Sequence, residues 1–158
     1  MTRGLRSRPA LCASLLLTLG VAACSSSVPQ RLLPRGTLQV TTDSGSVALG
    51  VEVAAEARAR SVGLMDRSRL PANAGMIFLY GGPHGGGFWM KNTLIPLSIA
   101  FLDASGRILK ILDMTPCRAD PCPVYQPGVT YVGAVETNRG WFAAHGVGPG
   151  DRVTLSGG

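Results

Sequence analysis

The stretch from residue 88 to residue 93, FWMKNT, brings side chains of several chemical types together. An indole, a thioether, an ammonium, an amide and a hydroxyl follow one another at Trp89, Met90, Lys91, Asn92 and Thr93. Successive side chains of a strand point to opposite faces, so each face of this stretch would mix apolar and polar groups. A strand that lies wholly in a core is not built that way. The pattern predicts a ligand cleft in which the indole supplies contact area and the amide and ammonium hold a polar or anionic group.

The same stretch also has a purely structural interpretation, which stays open at this point. Trp89 would then close one end of the fold, Asn92 and Thr93 would bond to backbone at a bend, and Lys91 would reach along apolar surface to water. Both interpretations use the same residue types, so the sequence does not separate a ligand site from a structural strand.

Glu136 is the acidic residue that needs a special explanation. Asp103 in DASG and Asp151 in GPGDRV occupy turn sequences, where a carboxylate accepts backbone N–H groups. Glu136 instead lies in the middle of the strand-like segment TYVGAVETN. It either faces solvent or faces inward toward Lys91 as a buried ion pair, and a buried pair would mark a functional site.

The common catalytic motifs do not occur in the sequence. It contains no G-x-S-x-G, no H-E-x-x-H, no phosphate-binding loop of the Walker type and no EF-hand loop. We therefore expect a binding protein more than an enzyme. The alternative is an unconventional enzyme that uses Lys91 as acid, base or nucleophile, tuned by Glu136 or Asp103.

A second alternative is a soft-metal protein that binds Cu(I) through Met65, Met90 and His84. Methionine side chains are much more often core filler than metal ligands. Neither His84 nor His145 has another metal-binding side chain at the spacing of a zinc site. We expect no metal site and no cofactor.

The N-terminal segment is typical of a lipoprotein signal. Three arginines precede an apolar run from residue 10 to residue 23, which is too short to cross a bilayer and ends in VAAC. Residues 1–23 are predicted to be removed, Cys24 to carry acyl chains such as palmitate, and residues 24–36 to form a flexible tether. These features predict an exported chain in the cell envelope, with the lipid anchor as its contact to the membrane and a single domain over residues 37–158.

Charge gives no support for nucleic-acid binding. The full chain has 15 basic and 9 acidic residues, and 3 of the basic ones lie in the predicted signal. The processed chain would keep 12 basic residues against 9 acidic ones, a net charge of +3. These basic residues are scattered singly, without the clusters of a nucleic-acid surface. A small polar ligand or another envelope protein is the expected partner.

Cys117 and Cys122 are predicted to form a disulfide. Cys12 lies in the predicted signal and Cys24 is the predicted lipidation site, so this pair remains for an oxidising compartment. Three prolines bend the segment PCRADPCP, which brings the two cysteines within bonding distance. Because the loop is short, the bond should order the loop itself more than the whole domain.

Hydrophobic periodicity predicts a β-rich α+β domain with a curled or barrel-like, mostly antiparallel sheet of about seven strands. One helix is expected over residues 56–65 and a shorter one within RGWFAAHG. GGPHGGG is expected to form a flexible loop. FWMKNT and PLSIAFLD are expected to be strand segments kinked at Pro96, and the second of them is expected to form a hairpin with RILKILDM.

Four segments together resemble the DUF192 family, also called UPF0127. They are RSVGLMDRSRLPANAGMIFLY, FWMKNTLIPLSIAFLDASGRI, a PC followed by a tyrosine, and GVGPGDRV, in this order over about residues 38–155. The resemblance implies a small β-rich domain, often behind a signal peptide, and it implies no known activity. The residues that match the family pattern are Gly63, Leu64, Met65, Gly75, Met76, Phe88, Trp89, Met90, Lys91, Asn92, Thr93, Pro96, Leu97, Gly150 and Asp151.

Ser98 departs from the family pattern. Many relatives carry an aspartate after IPL, where this chain has Ser98. If that aspartate worked with Lys91, the site in this chain would be weakened or differently tuned.

Overall fold

The computed structural model describes residues 32–157, and the predicted signal segment and Cys24 lie outside them. The described chain contains nine strands and two short helices, in chain order: β1 (Arg35–Thr42), β2 (Gly45–Ala54), α1 (Ala57–Val62), β3 (Ala74–His84), β4 (Phe88–Trp89), β5 (Leu97–Leu102), β6 (Ile108–Met114), β7 (Val124–Tyr125), β8 (Tyr131–Asn138), α2 (Trp141–Ala144) and β9 (Arg152–Ser156). The expected β-rich domain with two short helices is confirmed. Within residues 32–157, neither helix has the length and apolar character needed to span a bilayer.

Seven of these strands form one sheet in the order β6-β5-β8-β3-β2-β1-β9, and β4 pairs with β7 in a separate two-stranded sheet. Only the pairing of β2 with β3 is parallel within the large sheet. The hairpin predicted from PLSIAFLD and RILKILDM is present as β5 and β6, with Leu97 opposite Met114. The mostly antiparallel arrangement is therefore confirmed.

The large sheet is not closed into a barrel, although its two edge strands meet at one corner. The amide of Ile108 donates to the carbonyl of Asp151 at 2.8 Å, and the amide of Val153 donates to the carbonyl of Gly106 at 2.8 Å. Arg107 and Arg152 form an isolated bridge at the same corner. These contacts require a curled sheet, but they do not continue along β6 and β9.

The core lies on both faces of the sheet. Every residue of β5 is buried, and its side chains alternate between two apolar clusters. Ile99 and Phe101 belong to one cluster, whereas Ala100 and Leu102 belong to the other. A central strand that is covered on both faces has a continuous apolar sequence, which explains why LSIAFL shows no alternation.

Three local predictions were wrong in their extent. Residues 81–84 of GGPHGGG belong to β3, where His84 pairs with Tyr131 after a register shift, so this part is not a flexible loop. Helix α1 is shorter than predicted because Gly63 takes a positive φ of 51° and ends it. FWMKNT forms a strand only at Phe88 and Trp89, and the chain then turns.

Candidate functional site

The two-stranded sheet β4–β7 determines how the aromatic residues of FWMKNT are oriented. Phe88 pairs with Tyr125 and Trp89 pairs with Val124. The Phe88 ring packs edge-on against Phe78, with 5.2 Å between centroids, so it faces the core. Trp89 therefore points the other way, and its side chain is 50% exposed, next to Val124, which is 51% exposed. The packing of the domain therefore leaves about half of this large aromatic side chain free to contact another molecule.

A tight turn follows Trp89 and divides the other four residues of FWMKNT into a buried pair and an outer pair. The amide of Thr93 donates to the carbonyl of Met90 at 3.1 Å, and Asn92 at the third turn position has a φ of 55°. A type II turn requires a positive φ at this position, which glycine and asparagine tolerate best. Met90 and Thr93 are buried, whereas Lys91 and Asn92 form the outer side of the turn. The strand alternation predicted for this stretch therefore ends at Met90.

Two neighbouring segments hold this turn in place. The amide of Asp66 donates to the carbonyl of Asn92 at 2.8 Å, and the amide of Cys117 donates to the carbonyl of Met90 at 3.4 Å. Cys117 and Cys122 form the predicted disulfide, with their Cα atoms 5.6 Å apart. The bond closes a short loop beside the turn, so it restricts this loop and not the large sheet.

Lys91 forms its ion pair with Asp120 of this disulfide loop. The Lys91 Nζ atom lies 3.0 Å from Asp120 Oδ2, and both side chains are well exposed. The same ammonium lies 5.8 Å from the centroid of the Trp89 ring, within the range of a cation–π contact. The structure therefore brings Trp89, Lys91, Asp120 and Val124 together on one surface, with Asn92 on the same turn.

Glu136 is not part of this surface. It pairs with Met76 of β3 and Ile99 of β5 in the middle of the large sheet, and it is only 5% exposed. Burial raises the pKa of its carboxyl group from 4.5 to about 8. The hypothesis of a buried Lys91–Glu136 ion pair is wrong, because Lys91 pairs with Asp120 at the surface.

The carboxyl group of Glu136 has no hydrogen bond or ion pair to any residue within 32–157. Burial of the charged form without a compensating partner is what raises the pKa.

The other acidic candidates have structural roles. Asp103 Oδ1 accepts hydrogen bonds from the Ser105 hydroxyl and from the amides of Ser105 and Arg107, at 2.7, 2.8 and 2.9 Å. The bond from the Ser105 hydroxyl lowers the pKa of Asp103 most strongly. Asp151 Oδ2 accepts from the amide of Gly148 at 2.7 Å. The turn interpretation of both aspartates is confirmed, and Asp103 is occupied within its own turn.

The copper candidates are engaged elsewhere in the domain. The His84 ring stacks on Tyr80 with 4.3 Å between centroids, and Met90 is fully buried in the apolar cluster. His145 stacks on Trp141 at 4.3 Å, and its Nδ1 lies 2.8 Å from the Trp141 carbonyl. Within residues 32–157, no group of three or more His, Cys, Asp or Glu side chains is placed to hold a metal ion.

Ser98 lies in a different environment from Lys91. Its hydroxyl donates to Asp113 Oδ1 and accepts from the amide of Gly140 at 2.9 Å. These contacts tie β5 to β6 and to the start of α2. The idea that residue 98 tunes Lys91 therefore has no support in the contacts of Ser98.

Sequence reasoning missed all three ion pairs of residues 32–157, of which two bear on the candidate sites. Asp120 is the ion-pair partner of Lys91, and its position between the two cysteines is the sequence feature that could have drawn attention to it. Glu52 and Arg67 form a two-pronged ion pair with Nη–Oε distances of 2.6 and 2.8 Å. The hydrogen bond from Arg67 is the main reason why the pKa of Glu52 is lowered. These two residues are 15 positions apart, and no local pattern links them.

The fold and its motifs define a small β-rich domain with a curled seven-stranded sheet and an ordered surface turn. The model of the DUF192 family, described as an uncharacterized ACR, matches residues 38–155. The chain belongs to the DUF192 family.

Two solved structures resemble this chain over most of its length. A putative transcription regulator from Sinorhizobium meliloti 1021 is 29% identical, with a TM-score of 0.74, and the match covers 80% of this chain and 97% of that one. A protein of unknown function from Novosphingobium aromaticivorans DSM 12444 is 32% identical, with a TM-score of 0.73, covering 80% of this chain and 89% of that one. A search of curated proteins gave no match.

Proposed function

We propose that this chain is a lipid-anchored protein of the cell envelope whose domain binds a small polar ligand at a surface formed by Trp89, Lys91, Asn92 and Val124. We call these four residues the tryptophan surface. The observation that carries the proposal is the half-exposed indole of Trp89 beside the ammonium group of Lys91. An aromatic ring with hydrogen-bonding groups at its edge is a usual element of sites for polar ligands.

The tryptophan surface is held rigidly by its surroundings. Two backbone hydrogen bonds fix the turn, one from Asp66 and one from Cys117, and the disulfide restricts the loop beside it. A surface that is ordered before binding loses little conformational entropy when the ligand arrives. The turn therefore suits recognition better than an unrestrained loop would.

The ion pair that Lys91 of the tryptophan surface forms with Asp120 leaves both charges available to a ligand. Lys91 and Asp120 are both exposed, and exposed pairs contribute only about 0–1 kcal/mol. A ligand that offers an acceptor to Lys91 and a donor to Asp120 replaces this pair at low cost. That exchange favours ligands rich in hydroxyl, amide or carboxylate groups.

The location rests on the N-terminal sequence, in which an apolar run ends in VAAC. The alternatives receive less support from the contacts. An enzyme that uses Lys91 lacks the expected acid partners, because Asp103 is bound within its turn and Glu136 lies in the sheet. Copper binding is disfavoured because the His84 ring is packed between tyrosines.

The experiment is a thermal-shift screen of the full chain in neutral detergent against sugars, peptidoglycan fragments, nucleotides and amino acids. A ligand at 100 times its dissociation constant adds about 2.7 kcal/mol, which shifts the melting temperature by several degrees in a domain of this size. Ligand protection of Trp89 from acrylamide quenching is the second readout, because Trp141 is only 4% exposed. We expect Trp89→Ala to abolish the shift in melting temperature, and Lys91→Ala, which keeps the Trp89 reporter, to abolish both signals.

Lys110→Ala is the matched control, since Lys110 lies on β6 outside the tryptophan surface. Equal ligand shifts in wild type, Trp89→Ala and Lys91→Ala would reject the assignment. If no small molecule binds, but an envelope protein is captured by wild type and not by Trp89→Ala, the surface serves a protein partner instead.

A further inference from the structure

A cavity on the large sheet is separate from the tryptophan surface in its lining residues. It has a volume of about 360 Å³, at the lower end of the range for small-molecule sites. It is lined by neighbouring residues of β1, β2 and β3 and, from the segment after α1, by Arg67, Arg69, Leu70 and Pro71. The charged residues that line it are Arg35, Glu52, Arg67 and Arg69.

The charges of this cavity do not cancel. Arg67 and Glu52 neutralise each other through two hydrogen bonds of 2.6 and 2.8 Å. Arg35 lies opposite Glu52 in the β1–β2 register, and its charge contributes to the lowered pKa of Glu52. The ion pairs within residues 32–157 involve neither Arg35 nor Arg69. Two guanidinium charges are therefore left for a ligand.

Glycine keeps the cavity open at one position where packing does not require it. A Cβ atom at Gly36 or Gly75 would collide with neighbouring atoms at 2.7 and 2.4 Å, so packing explains both residues. A Cβ atom at Gly50 would meet only the carbonyl oxygen of Asn73, at 3.6 Å. Glycine inside a strand is destabilising, so its presence in β2 is consistent with a need for space above the sheet.

We propose that this cavity binds a phosphate group through Arg35 and Arg69, with Arg67 held in place by Glu52. Guanidinium groups match the geometry of phosphate oxygens and form charge-assisted hydrogen bonds with them. Two uncompensated positive charges also match the charge of a phosphate monoester near neutral pH. The proposal does not depend on the tryptophan surface.

The phosphate group has two sources that share this chemistry. One is a soluble phosphate monoester. The other is a phospholipid headgroup, since Arg35 is the first residue of β1 and lies only 11 positions after the predicted lipidation site Cys24. Inorganic phosphate represents the first source, and glycerophosphoglycerol, the water-soluble headgroup of phosphatidylglycerol, represents the second.

The test is calorimetric titration of the full chain in neutral detergent with each probe, at an ionic strength held constant with chloride. We expect wild type to bind at least one probe. The double variant Arg35→Gln/Arg69→Gln should weaken binding at least about tenfold, because it removes the two charge-assisted contacts. Gly50→Val should weaken it similarly by filling the cavity while leaving every charge in place.

Arg58→Gln is the control, because Arg58 is an exposed arginine of α1 outside the cavity. Binding of inorganic phosphate alone supports a soluble monoester, and tighter binding of glycerophosphoglycerol supports a lipid headgroup. Absence of binding by wild type overturns the proposal. Binding that survives in either the double variant or Gly50→Val overturns it as well, as does an equal loss in Arg58→Gln.

Discussion

Replacement of Glu136 by glutamine should change how the stability of the domain depends on pH. Glu136 is buried between β3 and β5, and burial raises the pKa of its carboxyl group from 4.5 to about 8. In the unfolded chain the same group titrates near its ordinary value. The folded state therefore binds a proton more tightly than the unfolded state, and Glu136→Gln removes this difference.

The sign and size follow from linkage. Below the unfolded pKa of about 4.5, Glu136 is protonated in both states and its titration costs no stability. As pH rises, the unfolded chain loses its proton first, so the free energy of unfolding decreases until about pH 8. A difference of 3.5 pH units at about 1.4 kcal/mol per unit gives a loss of about 5 kcal/mol above pH 8, and about 3 kcal/mol at pH 7.

The assay is urea denaturation between pH 5 and pH 8.5, followed by tryptophan fluorescence on the full chain with its disulfide intact. Contributions from groups other than Glu136 are common to wild type and Glu136→Gln, so they cancel in the difference between the two proteins. We expect that difference to grow by several kcal/mol in favour of the variant as pH increases.

Glu56→Gln is the control, since Glu56 is exposed before α1 and makes no side-chain capping bond. Its pH profile should stay parallel to that of wild type. Parallel profiles for wild type and Glu136→Gln would refute the reasoning, because they would mean that Glu136 ionises as easily in the folded state as in the unfolded chain.

Two further predictions concern the turn and the anchor. Asn92→Val should destabilise the domain by about 1–2 kcal/mol, because a β-branched residue is strained at a φ of 55°. Asn92→Gly should have almost no effect on stability, because glycine adopts this φ without strain. Urea denaturation measures both variants, and equal effects would contradict the turn geometry. Cys24→Ala should release the chain from the membrane fraction and abolish labelling with radioactive palmitate, and retention of label would assign the acyl chain to another residue.

The sequence predicted most of the fold because the strands follow simple patterns of burial. β1 and β2 alternate between core and solvent, and β5 is apolar throughout because both of its faces are covered. The glycine-rich segment failed as a prediction, because His84 finds an aromatic environment and a pairing partner in Tyr131. That stabilisation is tertiary, and no local pattern reveals it.

The candidate site was predicted only in its local part. Trp89, Lys91 and Asn92 lie at one turn, and their grouping could be predicted because they are neighbours in the sequence. Glu136 was recognised as unusual, but its distance from the turn depends on strand order in the sheet. Asp120 was missed because the disulfide loop must first fold back on the turn before the carboxylate reaches Lys91.

The segment after α1 determines which substitutions can separate the two proposed sites. The amide of Asp66 holds the turn that carries the tryptophan surface, and the side chain of the next residue, Arg67, binds Glu52 in the cavity. Removing Arg67 would leave the partly buried carboxylate of Glu52 unpaired and would disturb a segment that supports both sites. Arg35 and Arg69 line the cavity without such a partner, so their replacement tests phosphate binding while the support of the turn stays intact.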